Sequence, residues 1–255
     1  MIYKLQAPSV ATHLFEGCSD TCILSALQGI MGEIYADHPT SPNSAMAVMN
    51  VFVFPAGKPN AELALFKPES FKSEHAVFVP QNEEWQACIE QVYGEKAEKF
   101  SRFAIRKDPV FDSEKLLGFT KNIPDTVGLC LIDQALYHQC LSEEWSKDFV
   151  CNYPDFATFA KIGLGAVAVE NGKILAGATS YSSYDGGIEV EIITHEHHRQ
   201  KGLATACGAR LILECLQRNL YPNWDAATRI SVALAEKLGY QFSHEYTAYR
   251  ITSYV

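Results

Sequence analysis

Two stretches of this 255-residue sequence combine residue types whose spacing suits chemistry, and the first is HRQKGLATA, residues 198–206. Arg199 and Lys201 precede Gly202, and residues that tolerate or favour a helix follow at once. The start of a helix has unpaired N–H groups and the positive end of a dipole, and a glycine lets an anion approach the main chain. The stretch therefore suits a pyrophosphate. The alternative is a basic loop that simply begins a helix with a surface glycine.

The second stretch is GIEVEIIT, residues 187–194, where Glu189 and Glu191 alternate with apolar residues. Alternation along a β-strand puts both carboxylates on one face, about 7 Å apart. Two neighbouring carboxylates raise the pKa of at least one of them, which favours a general base. Binding of a substrate ammonium group, or simple exposure to solvent, is the alternative for this pair.

Histidines and cysteines give weaker signals. The histidines of HEHHR, residues 195–199, have no carboxylate or cysteine at a useful offset, so we expect solvated loop side chains and no metal site. Cys18 and Cys22 form a close pair among eight cysteines, but no second pair completes a zinc site. We expect the thiols to be buried as small apolar side chains, and we do not expect Cys207 to act as a nucleophile.

Composition narrows the class of protein. A formal charge of −9 argues against a nucleic-acid surface, which needs a basic field, and weakly favours cationic small molecules. No apolar run reaches the length of about 18 residues that a membrane span requires. The first residues lack the pattern of a secretory signal, so a cytoplasmic protein is expected.

The elements that must position the two stretches follow a regular order after residue 115. We predict a buried strand at VGLCLID, helices over residues 134–161 broken at NYPD, and two strands joined at Glu170-Asn171-Gly172. GGIEVEIIT, a helix ending near Arg218, a short strand around Trp224, a helix over residues 231–238 and the strand YQFSHEYTAYRI follow. This order predicts an α/β (α+β) fold with a mixed, mostly antiparallel central sheet and flanking helices.

The preceding residues predict a small N-terminal α+β lobe. A helix capped by Ser19 or Asp20 is expected to run as far as Ile34, followed by strands at AVMNVFVFP and HAVFVP and a surface helix at NEEWQACIEQVYGEKAEKF. Proline and charges in RKDPVFDSEK mark a boundary. The expected domains are residues 1–115 and 116–255.

HHRQKGLATA after the strand IEVEIIT resembles the acetyl-CoA-binding motif of the GNAT acetyltransferases, R/Q-x-x-G-x-G/A, with Arg199, Gly202 and Ala204 at its defined positions. TRISVALAEKLGYQF resembles their second signature, which Leu234, Lys237, Gly239 and Tyr240 match or nearly match. The order of elements after residue 127 is similar to one complete GNAT fold. LYPNWDA and the N-terminal lobe are similar to a bacterial branch that includes zwittermicin-resistance acetyltransferases.

The resemblance implies that pantetheine lies between two parted strands and that the turn holds the pyrophosphate. The residues implied to bind acetyl-CoA are Ile193, Thr194, Arg199, Gln200, Lys201, Gly202, Leu203, Ala204, Thr205 and Ser231. It also implies a glutamate base on the strand before the turn, and Glu189 is nearer the usual position than Glu191.

The general acid is where the sequence departs from the family. The tyrosine that often protonates the leaving thiolate is replaced by Ala235, while Thr228 and Ser231 replace the usual Asn and Ala. A thiolate can leave unprotonated, since thiol pKa values lie near about 8.5. The later tyrosines, Tyr240, Tyr246 and Tyr249, are expected to be packing residues.

The resemblance therefore implies a cytoplasmic N-acetyltransferase that transfers acetyl from acetyl-CoA directly to a primary amine of a small molecule. The alternative is a CoA-binding or sensing protein of the same fold with weak or no catalysis; a scaffold whose turn binds sulfate or a phosphoprotein is a third. The lobe is expected to shape the acceptor pocket or to form the face of a homodimer. Neither nucleic acid nor membrane is an expected partner.

Overall fold

A computed structural model describes residues 1–252 and residue 254, and the chain forms two compact units. The first unit comprises Met1–Arg102 and Glu245–Val255, and the second comprises Phe103–His244. These units differ from the expected domains in two respects, since the second begins before residue 115 and the last residues of the chain belong to the first.

The first unit combines a sheet with short helices. Its strands are β1 (Tyr3–Lys4), β2 (Glu33–Ala36), β3 (Ser44–Met49), β4 (Phe52–Gly57) and β5 (His75–Phe78), and its helices are α1 (Thr21–Leu27), α2 (Ala61–Leu65) and α3 (Glu83–Tyr93). Strands β6 (Ala97–Ile105) and β13 (Phe242–Thr252) contribute residues to both units. The sheet order is β1-β2-β3-β4-β5-β13, and β4–β5 is a parallel pair. The expected strand AVMNVFVFP is a hairpin of β3 and β4.

Two helices of the first unit end earlier than the sequence predicts. Helix α1 begins after the expected N-cap, Asp20, whose carboxylate accepts from the Cys22 N–H at 2.8 Å. It ends at Leu27, and Ile34 lies in β2 instead, because Gly29 takes a positive φ that leaves the helical path. Helix α3 likewise ends at Tyr93, before Gly94 with φ +53°, and after a short 3-10 turn the chain enters β6 at Ala97.

The second unit is built on a five-stranded sheet in the order β11-β10-β9-β8-β7. Its strands are β7 (Gly128–Leu131), β8 (Gly165–Glu170), β9 (Lys173–Tyr184), β10 (Gly187–Thr194), β11 (Tyr221–Asn223) and the separate β12 (Asp225–Ala226). Its helices are α4 (Ser113–Lys121), α5 (Gln134–Ser142), α6 (Phe156–Ile162), α7 (Leu203–Gln217) and α8 (Arg229–Leu238). Only β10–β11 is parallel among the pairs of this sheet that the structure describes, which confirms the mixed, mostly antiparallel fold.

One strand prediction in this unit was wrong in its burial. Strand β7 forms the outer edge of the sheet, and Gly128 and Cys130 on one of its faces are exposed while Leu129 and Leu131 are half-buried. The apolar run VGLCLID is typical of a buried strand, but an edge strand can carry it when every second side chain packs inward.

Helix α7 packs against the sheet of the second unit through a broad apolar face. Leu211, Cys215 and Ile212 are buried in the core of the second unit. At Gly208 an added Cβ would lie 2.8 Å from the Leu238 side chain, so the absence of a side chain lets Leu238 pack closely against α7. On its polar side, Glu214 pairs with Arg210 and Arg218, one turn away in each direction. A helix held in this way presents its N-terminal end in a defined place.

Candidate active site

The two strands that the resemblance expects to part do so at Glu189. Strand β11 pairs in parallel with β10 at Gly187, Ile188 and Glu189, and it ends at Asn223. The chain then leaves the sheet, and β12 pairs with the end of β6. Beyond Glu189, no strand within the described residues pairs with this edge of β10.

The open edge of β10 presents main-chain groups. The His195 N–H donates to the Leu175 carbonyl of β9 at 3.0 Å. Alternate residues of an antiparallel strand direct their N–H and C=O groups to opposite sides, so Ile193 directs its groups to β9 while Ile192 and Thr194 direct theirs to the open edge. Of the two expected main-chain contacts, Thr194 is thus placed at the open edge and Ile193 is not.

The turn after β10 ends in a helix that no side chain caps. Gly202 is the N-cap of α7 at φ +77°, and Gln200 before it also takes a positive φ of +63°. The first helical bond runs from the Ala206 N–H to the Gly202 carbonyl at 3.0 Å. An added Cβ at Gly202 would meet only the Asn122 carbonyl oxygen, at 3.6 Å. The first-turn amides therefore face open space beside a main chain that only glycine adopts without strain.

Cations surround this helix tip. Arg199 and Lys201 are exposed, and Lys201 Nζ lies 3.5 Å from His198 Nδ1. Lys237 of α8 lies with Nζ 3.4 Å from Thr205 Oγ1 in the first turn of α7. No described carboxylate forms an ion pair with these three cations. Lys237 was absent from the expected site residues, although its place in the second signature was the signal that pointed to it.

The carboxylate of Glu189 bridges the point where the strands part. Its Oε1 accepts from the Asp225 N–H at 2.9 Å, and its Oε2 accepts from Asn223 Nδ2. The Glu189 side chain is 8% exposed. Both oxygens therefore have donors from the chain itself.

Glu191 is in a different environment. Its Oε2 is enclosed and has no hydrogen-bond partner among the described residues, and the same holds for Oγ1 of Thr179, the residue paired with Glu191 across β9 and β10. Burial raises the pKa of Glu191 to about 8, and the negative charge of Asp148 adds to the shift. A buried polar atom without a partner is costly in a folded protein and is a common mark of a site that binds something.

The second signature has structural contacts in this unit. Thr228 is the N-cap of α8 and accepts from the Ser231 N–H at 3.2 Å. Ser231 Oγ accepts from the indole N–H of Trp224 at 3.2 Å, and Ala235 is fully buried. The expected cofactor residue Ser231 is therefore engaged with Trp224, which is 4% exposed.

Tyr240 and Tyr249, two of the three tyrosines expected to pack, are core residues. Tyr240 lies in the core of the second unit and donates to the Pro222 carbonyl at 2.7 Å. Tyr249 lies in the core of the first unit and donates to Glu90 at 2.5 Å. Tyr246 accepts from Arg102 Nε at 3.2 Å.

The environments of one histidine and of several cysteine thiols differ from what the sequence predicts. His195 packs edge-on against Trp145 with ring centroids 5.1 Å apart, so it is more than a solvated loop side chain. Among the residues that the structure describes, no group of three or more His, Cys, Asp and Glu is arranged to hold a metal ion. Four thiols are buried, but Cys130 and Cys151 are exposed, so burial of all the thiols was wrong. Burial raises the pKa of Cys207 to about 12, which leaves it an unreactive thiol.

No helix among the described residues is long and apolar enough to cross a membrane.

Comparisons with known proteins agree with this geometry. The family model described as GNAT acetyltransferase matches residues 12–249. The crystal structure of a GCN5-related N-acetyltransferase-like protein from Streptococcus suis 89/1591 is 43% identical, with a TM-score of 0.89 over 96% of this chain and 98% of that one. The uncharacterized N-acetyltransferase YdfB of Bacillus subtilis (strain 168) is 24% identical over 96% of both chains. A tandem GNAT protein from the clavulanic acid biosynthesis pathway shares the fold, with 9% identity and a TM-score of 0.57 over 98% of both chains. From the open strand edge, the uncapped helix tip and this match over nearly the whole length, the chain belongs to the GNAT family of N-acetyltransferases.

Proposed function

We propose that the protein transfers the acetyl group of acetyl-CoA directly to a primary amine of a small molecule. The observation that carries the proposal is the open edge of β10, which leads straight into the uncapped tip of α7. Acetyl-CoA needs both features, because its pantetheine arm makes strand-like hydrogen bonds and its pyrophosphate needs amide donors and positive charge.

The residues of the tip fit the anionic part of this cosubstrate. The N–H groups from Lys201 to Thr205 supply donors, and Arg199, Lys201 and Lys237 supply charge that no described carboxylate neutralises. Main-chain groups of Ile192 and Thr194 supply donors and acceptors for the pantetheine arm. Acetyl-CoA, when bound, supplies an activated thioester carbonyl for attack by an amine.

We assign the general base to Glu191, which reverses the order that the resemblance implied for Glu189 and Glu191. An acceptor reaches the site as an ammonium ion and must lose a proton before it can attack. Both oxygens of Glu189 already accept hydrogen bonds from the chain, whereas Glu191 Oε2 has no partner among the described residues. A pKa of about 8 suits a base that works near neutral pH.

The step balances without a dedicated acid. The ammonium group gives one proton to Glu191, the amine nitrogen bonds to the acetyl carbonyl carbon, and the carbon–sulfur bond breaks. The sulfur leaves as a thiolate, and the nitrogen loses its second proton to water or to that thiolate. Ala235 has no proton to give, and the pKa of a thiol near about 8.5 makes unassisted departure feasible.

A CoA-binding protein with weak or no catalysis is the second candidate, and Ala235 favours it because a buried alanine occupies the place of the usual acid. Release of free thiol from acetyl-CoA in the presence of a panel of amines separates the two candidates. Steady release with any amine supports the enzyme, and binding of CoA without release supports the sensor.

The test of the cofactor site uses two glycines with matched geometry. Gly202 at φ +77° and Gly172 at φ +76° both have room for a side chain, but Gly172 lies in the β8–β9 turn. Gly202→Asp should abolish CoA binding measured by calorimetry, because a carboxylate would face the pyrophosphate, while Gly172→Asp should bind CoA as the parent does. Unchanged CoA affinity in Gly202→Asp would refute the proposed site.

A cytoplasmic location belongs to the same proposal. Buried thiols such as Cys140 and Cys207 pack as small apolar side chains, and burial raises the pKa of each to about 12. Such thiols suit a reducing compartment.

A further inference from the structure

Glu189 belongs to the last residue pair of the ladder between β10 and β11. The Tyr221 N–H donates to the Gly186 carbonyl at 2.8 Å, and the pairs that follow run to Glu189 and Asn223. In a parallel ladder the donors of one strand recur every second residue. Continuation of this ladder would send the Asp225 N–H to a main-chain carbonyl of β10.

A side chain takes that N–H instead. The Asp225 N–H donates to Glu189 Oε1 at 2.9 Å, and Asn223 Nδ2 donates to Glu189 Oε2. One carboxylate thus holds both residues that flank Trp224, where β11 ends and β12 begins. The ladder loses its next donor, yet that buried donor stays satisfied by a charged acceptor.

The other side of the break is also fixed. The indole N–H of Trp224 donates to Ser231 Oγ. The Trp224 ring also packs edge-on against the Tyr240 ring, with the two ring centroids 5.4 Å apart. Tyr240 in turn donates to the Pro222 carbonyl. Trp224 is thus fixed by contacts within the second unit, while its two neighbours donate to the Glu189 carboxylate of β10.

We infer that Glu189 is a positioning residue that stops the pairing of β10 and β11, by taking the Asp225 N–H, and so keeps the β10 edge open for the pantetheine arm. This inference rests on the proposed function for the identity of what enters the opening. The role of Glu189 in separating the strands is argued from its two hydrogen bonds and does not depend on that identity. Glu189 then acts through the strands, and Glu191 acts on the acceptor.

The experiment compares Glu189→Ala, Glu189→Gln and a matched surface change, Glu236→Ala, in the full chain. The readouts are hydrogen exchange at the Asp225 amide, CoA affinity by calorimetry, and kcat against pH for acetyl transfer. Glu189→Ala should speed exchange at Asp225 and weaken CoA binding by about tenfold or more, since it removes a charged acceptor. Glu189→Gln should restore both to within about threefold, because the amide oxygen still accepts from the Asp225 N–H and a rotated Asn223 amide can accept from the new NH2 group. Glu236→Ala should match the parent.

Three other outcomes would contradict the inference, and a fourth would refute the proposed function while leaving the inference intact. Parent-like exchange and affinity in Glu189→Ala would overturn it. So would a loss of kcat of about 100-fold or more in Glu189→Gln at unchanged CoA affinity, which is the mark of a base. If Glu189→Ala does not fold, Asn223→Ala removes the other contact and should weaken CoA binding, whereas parent-like affinity would count against the inference. If the parent fails to bind CoA but Asp225 exchange responds as expected, the proposed function falls and the role of Glu189 in parting the strands stands.

Discussion

Thr179 and Glu191 are paired across β9 and β10, and the structure gives neither Thr179 Oγ1 nor Glu191 Oε2 a hydrogen-bond partner among its described residues. Directly paired residues of an antiparallel sheet have Cβ atoms about 5 Å apart on the same face. We therefore propose that one ammonium group contacts both atoms. The proposed acceptor nitrogen would satisfy two buried oxygens that have no partner among the described residues.

Glu191→Gln tests the base directly. The amide keeps the shape of the side chain but cannot take a proton, so kcat should fall about 10²–10⁴-fold. CoA affinity should be unchanged, because the carboxylate does not contact the helix tip. In the parent, kcat/KM should rise as Glu191 loses its proton, up to a pH of about 8, and this limb should disappear in the variant. A variant that keeps the rising limb would assign it to another group.

The same carboxyl group predicts how stability changes with pH. Its pKa in the folded protein is about 8, well above the unfolded value of about 4.3, so the folded state binds the extra proton between these values. Its contribution is fully present below about pH 4.3 and is lost as the pH rises through about 8. The free energy of unfolding should therefore fall across this range by at most about 1.4 kcal/mol per pH unit. Denaturant titrations of the parent and Glu191→Gln at several pH values should show a shallower fall in the variant, and parallel curves would contradict the prediction.

Thr179→Val removes the second unpartnered oxygen. Without the acceptor, a buried hydroxyl that has no partner costs free energy, so the variant should gain about 1 kcal/mol in the free energy of unfolding. With the acceptor present the hydroxyl is useful, so KM for the amine should rise while CoA affinity stays the same. Denaturant titration and steady-state kinetics measure the two effects. A less stable variant with unchanged KM would mean that Thr179 has a structural partner instead.

The structure could be predicted from the sequence wherever a local residue pattern is compatible with only one kind of secondary structure. The β8–β9 hairpin was predictable, because Asn171 and Gly172 both take the positive φ that a two-residue turn needs. Ile34 was not, because its spacing from Leu27 suits a helix while sheet pairing places it in β2. The tip of α7 was predictable from the sequence, because the glycine and the basic side chains that form it are neighbours along the chain.

The different roles proposed for Glu189 and Glu191 could not be predicted from any local sequence pattern. The two carboxylates are alternate residues of one strand, and the sequence alone made them equivalent apart from position. What separates them is the place where the chain around Trp224 leaves β10, which brings donors to Glu189 and none among the described residues to Glu191 Oε2. The path of the chain around Trp224 is set by contacts between residues that are far apart in the sequence, which a local pattern does not show.

Lys237→Ala tests a cation that comes to the helix tip from α8 rather than from the basic turn. With Lys237 Nζ 3.4 Å from Thr205 Oγ1, its charge lies beside the first-turn amides and should attract the pyrophosphate. Loss of one such charge should raise the dissociation constant for CoA about threefold to tenfold at low salt and reduce its dependence on salt. Lys173→Ala, a change at an exposed lysine at the start of β9, is the matched control. Acetylated pantetheine, which has no pyrophosphate, should bind the parent and Lys237→Ala equally; a loss of affinity for this ligand too would mean that Lys237 supports the fold of the tip rather than the anion.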